Sequence, residues 1–225
     1  MRSEKGFTLV ELLVTVAMMV VVMAGVYLVF YSQQKSYTVQ EQVAEMQQNL
    51  RGAMYLMAKE IKMAGCNPTG QAQAGISTAA AKSIHFTMDL RGKGTDTPNG
   101  NTSDENENIT YALADILPTS SGDGVMEIVR DTGTGQQVVA ENIDALNFVY
   151  LDSNGNVTTD LLRIRSVQIT LVARTGDADR GYRDMTNYTN LQGQVIFTPN
   201  TEESKYRRKR LATHIKCRNL GMLQE

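Results

Sequence analysis

Few residues in this chain have types and spacings that could do chemistry. His85 and His214 are its two histidines, and Cys66 and Cys217 its two cysteines. Neither histidine stands in a Ser–His–acid or Cys–His arrangement, and no phosphate-cradling G-x-x-x-x-G-K-[ST] run occurs. Asp152, Asn154, Asn156 and Asp160 have the alternate spacing of a calcium loop. Such a loop needs glycine after the third ligand and glutamate at the twelfth position, where this chain has Val157 and Arg163. A hairpin turn around Asn154-Gly155 accounts for these residues better. Lys205-Tyr206-Arg207-Arg208-Lys209-Arg210 could meet DNA or anionic lipid, but such a run is more often a solvated segment before an edge strand. No metal, cofactor or catalytic site is expected. One residue is in an unfavourable place. Glu11 opens an apolar stretch in which residues 12–31 carry no charge. A carboxylate buried in a membrane costs about 2.5–3.5 kcal/mol on insertion scales, which calls for a cationic partner.

The elements around Glu11 indicate how it would be placed. An apolar run of this length forms a helix about 30 Å long, the thickness of a bilayer's hydrocarbon core. Arg2 and Lys5 precede it, which predicts a cytoplasmic N-terminus and an extracytoplasmic remainder. A secretory signal would have a shorter apolar core followed by small residues, and Tyr27-Leu28-Val29-Phe30-Tyr31 offers no such site. The formal net charge of −2 gives no overall field favouring nucleic acid or anionic lipid.

Gly6-Phe7-Thr8-Leu9-Val10-Glu11 resembles the type IV prepilin signal. The resemblance implies cleavage between Gly6 and Phe7 by prepilin peptidase, N-methylation of Phe7, and Glu11 as the assembly glutamate. A neighbouring subunit's amine would then neutralise Glu11 in a low dielectric.

The helical pattern continues beyond Tyr31. Val39, Val43, Met46, Leu50, Met54, Met57, Ile61 and Ala64 follow steps of three or four, forming one apolar stripe. No proline interrupts residues 1–66, Gly65 suits a left-handed C-cap, and Pro68 stops continuation. This predicts a helix over residues 7–64, with Gly25 its soft point in the apolar half. Many major pilins carry a proline there, so its absence favours a minor subunit. Beyond Cys66 the apolar runs are short and alternating. Strands are predicted at 83–89, 108–113, 125–131, 145–152, 163–174, 194–198 and 211–218, with Val167, Ile169 and Leu171 facing the core. The loop 92–107, rich in Gly, Asn, Thr and acid, reads as mobile.

Ala64-Gly65-Cys66, Glu141-Asn142-Ile143, the strand around Val167–Leu171 and the closing Arg207–Arg210 and Arg218-Asn219-Leu220 segments resemble PilW-like minor pilins. J-type pseudopilins of type II secretion are similar. The resemblance implies an α+β pilin fold, with a long N-terminal helix packed on an antiparallel β-sheet. The expected divisions are a leader (1–6), a membrane and assembly helix (7–31), its amphipathic continuation (32–65) and a β-rich extracytoplasmic head (66–225). The implied role is structural: priming or capping a pilus, with other minor pilins, the major pilin and the inner-membrane assembly platform as partners. A different class of reading is a membrane-tethered adhesin or DNA receptor using the loop 92–107. Cys66 and Cys217 would lie where oxidation is permitted. They could form a disulfide, stabilising by up to about 5 kcal/mol in the chain-entropy model, or remain two buried free thiols.

Overall fold

The computed structural model describes residues 6–92, 94–95, 97–116 and 125–221. The chain divides into two compact units, Met1–Gln42 and Val43–Glu225. A single helix, α1 (Leu9–Ile61), runs from the first into the second. It is slightly shorter than the sequence pattern predicts. At its start Thr8 stays outside the helix while its carbonyl accepts from the Leu12 amide at 3.2 Å. At its end the last turn tightens: the amides of Met63, Ala64 and Cys66 bond three residues back. Gly65 then takes φ +76°, a conformation that favours glycine. Neither Gly25 nor Gly52 interrupts the helix.

Among the described residues nine strands follow: β1 (Ile76–Ala79), β2 (Ser83–Thr87), β3 (Asn108–Ala114), β4 (Met126–Asp131), β5 (Gln136–Leu151), β6 (Ser166–Arg174), β7 (Tyr188–Thr189), β8 (Val195–Phe197) and β9 (Arg208–Lys216). Seven form an antiparallel sheet in the order β1-β2-β3-β4-β5-β6-β9, and β7 and β8 pair separately. The chain is thus an α+β protein in which a long N-terminal helix packs, through its C-terminal part, on an antiparallel sheet.

The stripe read along the helix is what seals the core. Met46, Leu50, Met54, Met57, Ile61 and Ala64 are buried against Ile84, Phe86, Tyr111, Ile128, Phe148 and Ile169. Full burial of a side chain such as Leu50 contributes about 1.5–3 kcal/mol. Val167, Ile169 and Leu171 face this core as the alternation requires. The opposite face of β6 is covered too: Val172 and Ala145 pack with Tyr188, Ile196 and Phe197 of the β7–β8 pair. That second layer explains why β6 reads as the most continuously apolar strand.

Several boundaries differ from expectation. β5 runs through 16 residues, twice the predicted length, because it pairs first with β4 and then with β6. The change happens at a register shift beside Asn142, whose φ is +58°. This is a bulge that bends one strand across two partners. β1 was not expected, since Ile-Ser-Thr-Ala carries too little apolar alternation. β6 begins at Ser166, and the preceding Leu161–Arg163 is a 3₁₀ turn capped by Asp160. β9 starts at Arg208, inside the basic run.

Gly65 is where the chain's last described segment meets the end of α1. A Cβ there would lie 2.6 Å from Leu220 Cδ2, on backbone already in the left-handed region. Gly65→Ala should therefore destabilise by about 1–3 kcal/mol, and Leu50→Ala by about 2–5 kcal/mol. Both would appear as lower denaturant midpoints with unchanged slope. A Gly65→Ala midpoint equal to wild type contradicts this packing.

Candidate assembly site

The candidate site is the first turn of α1. Every described residue from Gly6 to Thr38 is exposed. By length and composition this helix can cross a membrane, and none of its most apolar window is buried. Phe7 precedes the helix and is 89% exposed. Glu11 is held in place by Thr8. Glu11 Oε2 accepts from the Thr8 amide and from the Thr8 hydroxyl, each at 2.9 Å, and the Glu11 amide donates to Thr8 Oγ1 at 3.3 Å. This is the reciprocal capping box of a Thr-x-x-Glu sequence. It satisfies helix amides that would otherwise be orphans and sets a negative charge at the positive end of the helix dipole.

Thr8-Leu9-Val10-Glu11 is the sequence signature of this box, a signal separate from the charge of Glu11 in its apolar run. The cap gives the carboxylate two donors within its own chain, while Oε1 has no hydrogen bond among the described residues. The side chain is therefore oriented by Thr8 and remains open on its other oxygen. A cut between Gly6 and Phe7 would leave every member of the box intact.

Residues 1–27 match the prokaryotic N-terminal methylation motif. Among curated proteins nothing matches. A solved type IV-like pilin from Thermus thermophilus is similar over 78% of this chain and 98% of its own, at 14% identity and a TM-score of 0.49. Within that motif Gly6 and Phe7 lie just before α1 and Glu11 in its first turn, all three exposed. A shallow apolar notch of about 450 Å³ lies further along the helix, where Gly25 leaves room among Val22, Val26, Val29 and Phe30.

The other residues singled out by sequence are engaged elsewhere. Asp152 Oδ1 accepts from the amides of Asn154 and Asn156, each at 2.9 Å, so the turn uses this carboxylate. Those amides hold its pKa below the usual carboxylate range. His85 contacts Ser77 Oγ and Asn108 Oδ1, and His214 contacts Ser166 Oγ. In the loop 92–107, Asn99, Gly100 and Glu107 are anchored by hydrogen bonds. Buried Asp89 accepts from the amides of Asn99 and Gly100 and from the Thr69 hydroxyl. Buried Glu107 accepts from the amides of Leu90 and Arg91. These anchors border a polar cavity of about 730 Å³ lined by Arg91, Thr95, Asn101 and Asp104.

The basic run is largely spent inside the fold. The Arg208 side chain is wholly buried, 2.6 Å from Asp144 and 3.5 Å from Asp184, and lies over the Phe197 ring. Arg207 pairs with Asp179 at 2.9 Å, and Lys205 pairs with Glu202. A continuous nucleic-acid-binding stripe is therefore not formed. Arg208→Met should destabilise by about 3–5 kcal/mol, because it takes the nearest cation from two buried carboxylates. Lys209→Met should stay within about 0.5 kcal/mol. Equal unfolding midpoints for the two variants would contradict the buried network.

Cys66 and Cys217 pack against one apolar cluster near the helix end, each as a free thiol in this structure. Burial pushes the Cys217 thiol up to about 12. Burial, with Asp89 nearby, raises Cys66. Thiolate is the reacting form, so Cys217 should resist alkylation at pH 8 in the folded chain. Unfolding without reductant should expose two alkylatable thiols by mass spectrometry; finding none would establish the bond.

Proposed function

We infer that this chain is a minor type IV pilin that primes or caps pilus assembly. In this reading prepilin peptidase cuts between Gly6 and Phe7 and methylates the new amine. Residues 7–31 then anchor the chain in the inner membrane, with the N-terminus cytoplasmic. Other minor pilins, the major pilin and the assembly platform take it into a fibre reaching the periplasm and cell surface. The chain is structural and does no catalysis.

The observation that carries the reading is the capped Glu11 on an exposed apolar helix within a matched methylation motif. Cleavage creates a positive amine at Phe7, four residues before Glu11. Within one chain Thr8 already engages one oxygen of Glu11. The amine of a neighbouring subunit can reach the other when helices pack side by side. In the low dielectric of a membrane or fibre core this attraction is several times stronger than in water. It offsets the cost of burying each charge only once subunits meet, and it fixes their axial offset.

Edman sequencing of the protein from membranes should begin at Phe7, and mass should show one added methyl. Glu11→Leu should leave cleavage and insertion intact. Its recovery in sheared fibres should fall about tenfold or more, the equivalent of at least 1.4 kcal/mol. Mature protein that retains Met1, or full recovery of the Glu11→Leu chain in fibres, would refute the proposal.

A further inference from the structure

The two edges of the seven-stranded sheet are built differently. β1 is four residues long and carries a register shift between Ile76 and Thr78. Short, bulged edges resist pairing with another strand. β9 has nine residues in unbroken register with β6. The Thr175 amide donates to the Arg207 carbonyl at 2.9 Å, and the Cys217 amide to the Arg165 carbonyl at 3.0 Å. In an antiparallel ladder the bonded positions alternate. Odd-numbered residues of β9 therefore bond to β6, and the amides and carbonyls of Arg210, Ala212, His214 and Lys216 point away from the sheet. Among the described residues, no hydrogen bond reaches those outward backbone groups. His214 and Lys216 are exposed, and Arg210 and Ala212 half-buried.

The charge on this edge limits what can pair with it. Lys209, Arg210 and Lys216 form no ion pair among the described residues, unlike Lys205, Arg207 and Arg208 before them. Like charges directly opposite across a strand pair are destabilising, so the β9 edge of a second copy is a poor partner. The short, bulged β1 edge of a second copy has no acid to offer. The side chains of Arg210, Ala212, His214 and Lys216 lie on one face of the sheet, while Leu211 and Ile215 pack towards the core on the other. A strand added here would place acids against the basic face and apolar groups beside Leu211 and Ile215.

We propose that the outer edge of β9 is a strand-addition site for a segment of another protein that alternates acidic and apolar residues. Main-chain hydrogen bonds to Arg210, Ala212, His214 and Lys216 supply the affinity, and the basic side chains select the acidic strand. The site does not depend on the cut at Gly6 or on Glu11. It would persist in a chain that was never processed or assembled, so the two proposals fail separately.

The test uses the full chain in detergent micelles, with amide hydrogen exchange as the readout. The probe is a peptide of alternating Glu and Val as long as β9, with a Lys–Val peptide as control. The amides of Arg210, Ala212 and His214 should exchange fast in the chain alone and slow by about tenfold or more with the Glu–Val peptide only. Ala212→Pro removes an outward amide and no β6 bond, so it should fold and lose the protection. Arg210→Glu with Lys216→Glu should switch preference to the Lys–Val peptide, which tests the charge rule without proline. Slow exchange of these amides without peptide would overturn the proposal. So would equal protection by both peptides or by neither, and so would protection that grows with concentration of the chain alone, because the occupant would then be a second copy.

Discussion

A carboxylate near the start of an apolar helix has to find donors, and this chain supplies them locally. Thr8 gives Glu11 an amide and a hydroxyl from the residue that starts the helix. The cap ties helix initiation to the position of the charge, because the same contacts fix both. An acid held by a flexible neighbour would sample many orientations, and its pairing across a subunit boundary would lose that freedom on assembly. Held at the N-terminal turn, its direction is set within the chain itself. One oxygen is engaged and the other carries no hydrogen bond among the described residues, so the cap lowers the cost of the charge and leaves one acceptor open.

The second unit handles charge in the opposite way, by closing pairs inside itself. Glu60 near the end of α1 makes two bonds to Arg130 of β4, at 2.9 and 3.0 Å, and accepts from Tyr111 of β3. The helix end is thereby fixed to two strands by a bidentate contact, which has more directional specificity than apolar packing. Burial raises the Tyr111 phenol's pKa, so it stays a donor to Glu60 at any ordinary pH. Asp144 shares itself between Arg208 and Arg174, below the β7–β8 pair. Both networks join segments distant in sequence, and both leave few formal charges to solvent. Against that background the unpaired bases of β9 stand out, because they border the sheet's one long regular edge.

Each of these devices solves the same problem in a different solvent. In the apolar first unit, polar groups must be satisfied along the helix itself. In the second, packing can bring Arg208 of β9 to Asp144 of β5. At the sheet edge, backbone groups are left to water, with charge discouraging indiscriminate pairing.

What the sequence alone determined follows from interactions that are local or periodic. The apolar run at 12–31, the stripe from Val43 to Ala64, the stop at Gly65 and the alternation of Val167, Ile169 and Leu171 are such patterns, and each has its counterpart in the fold. The capping box also belongs here, since it spans only Thr8 to Glu11. Tertiary structure decided what depends on partners far along the chain. The 16-residue β5 exists because a bulge lets one strand serve two neighbours. β1 is a strand because β2 lies beside it. Which bases of the run at 205–210 are buried, and which are free, was set by where Asp144, Asp179 and Asp184 came to rest. Short-range order is written in side-chain spacing, whereas long-range pairing depends on which surfaces remain unburied once the core has closed.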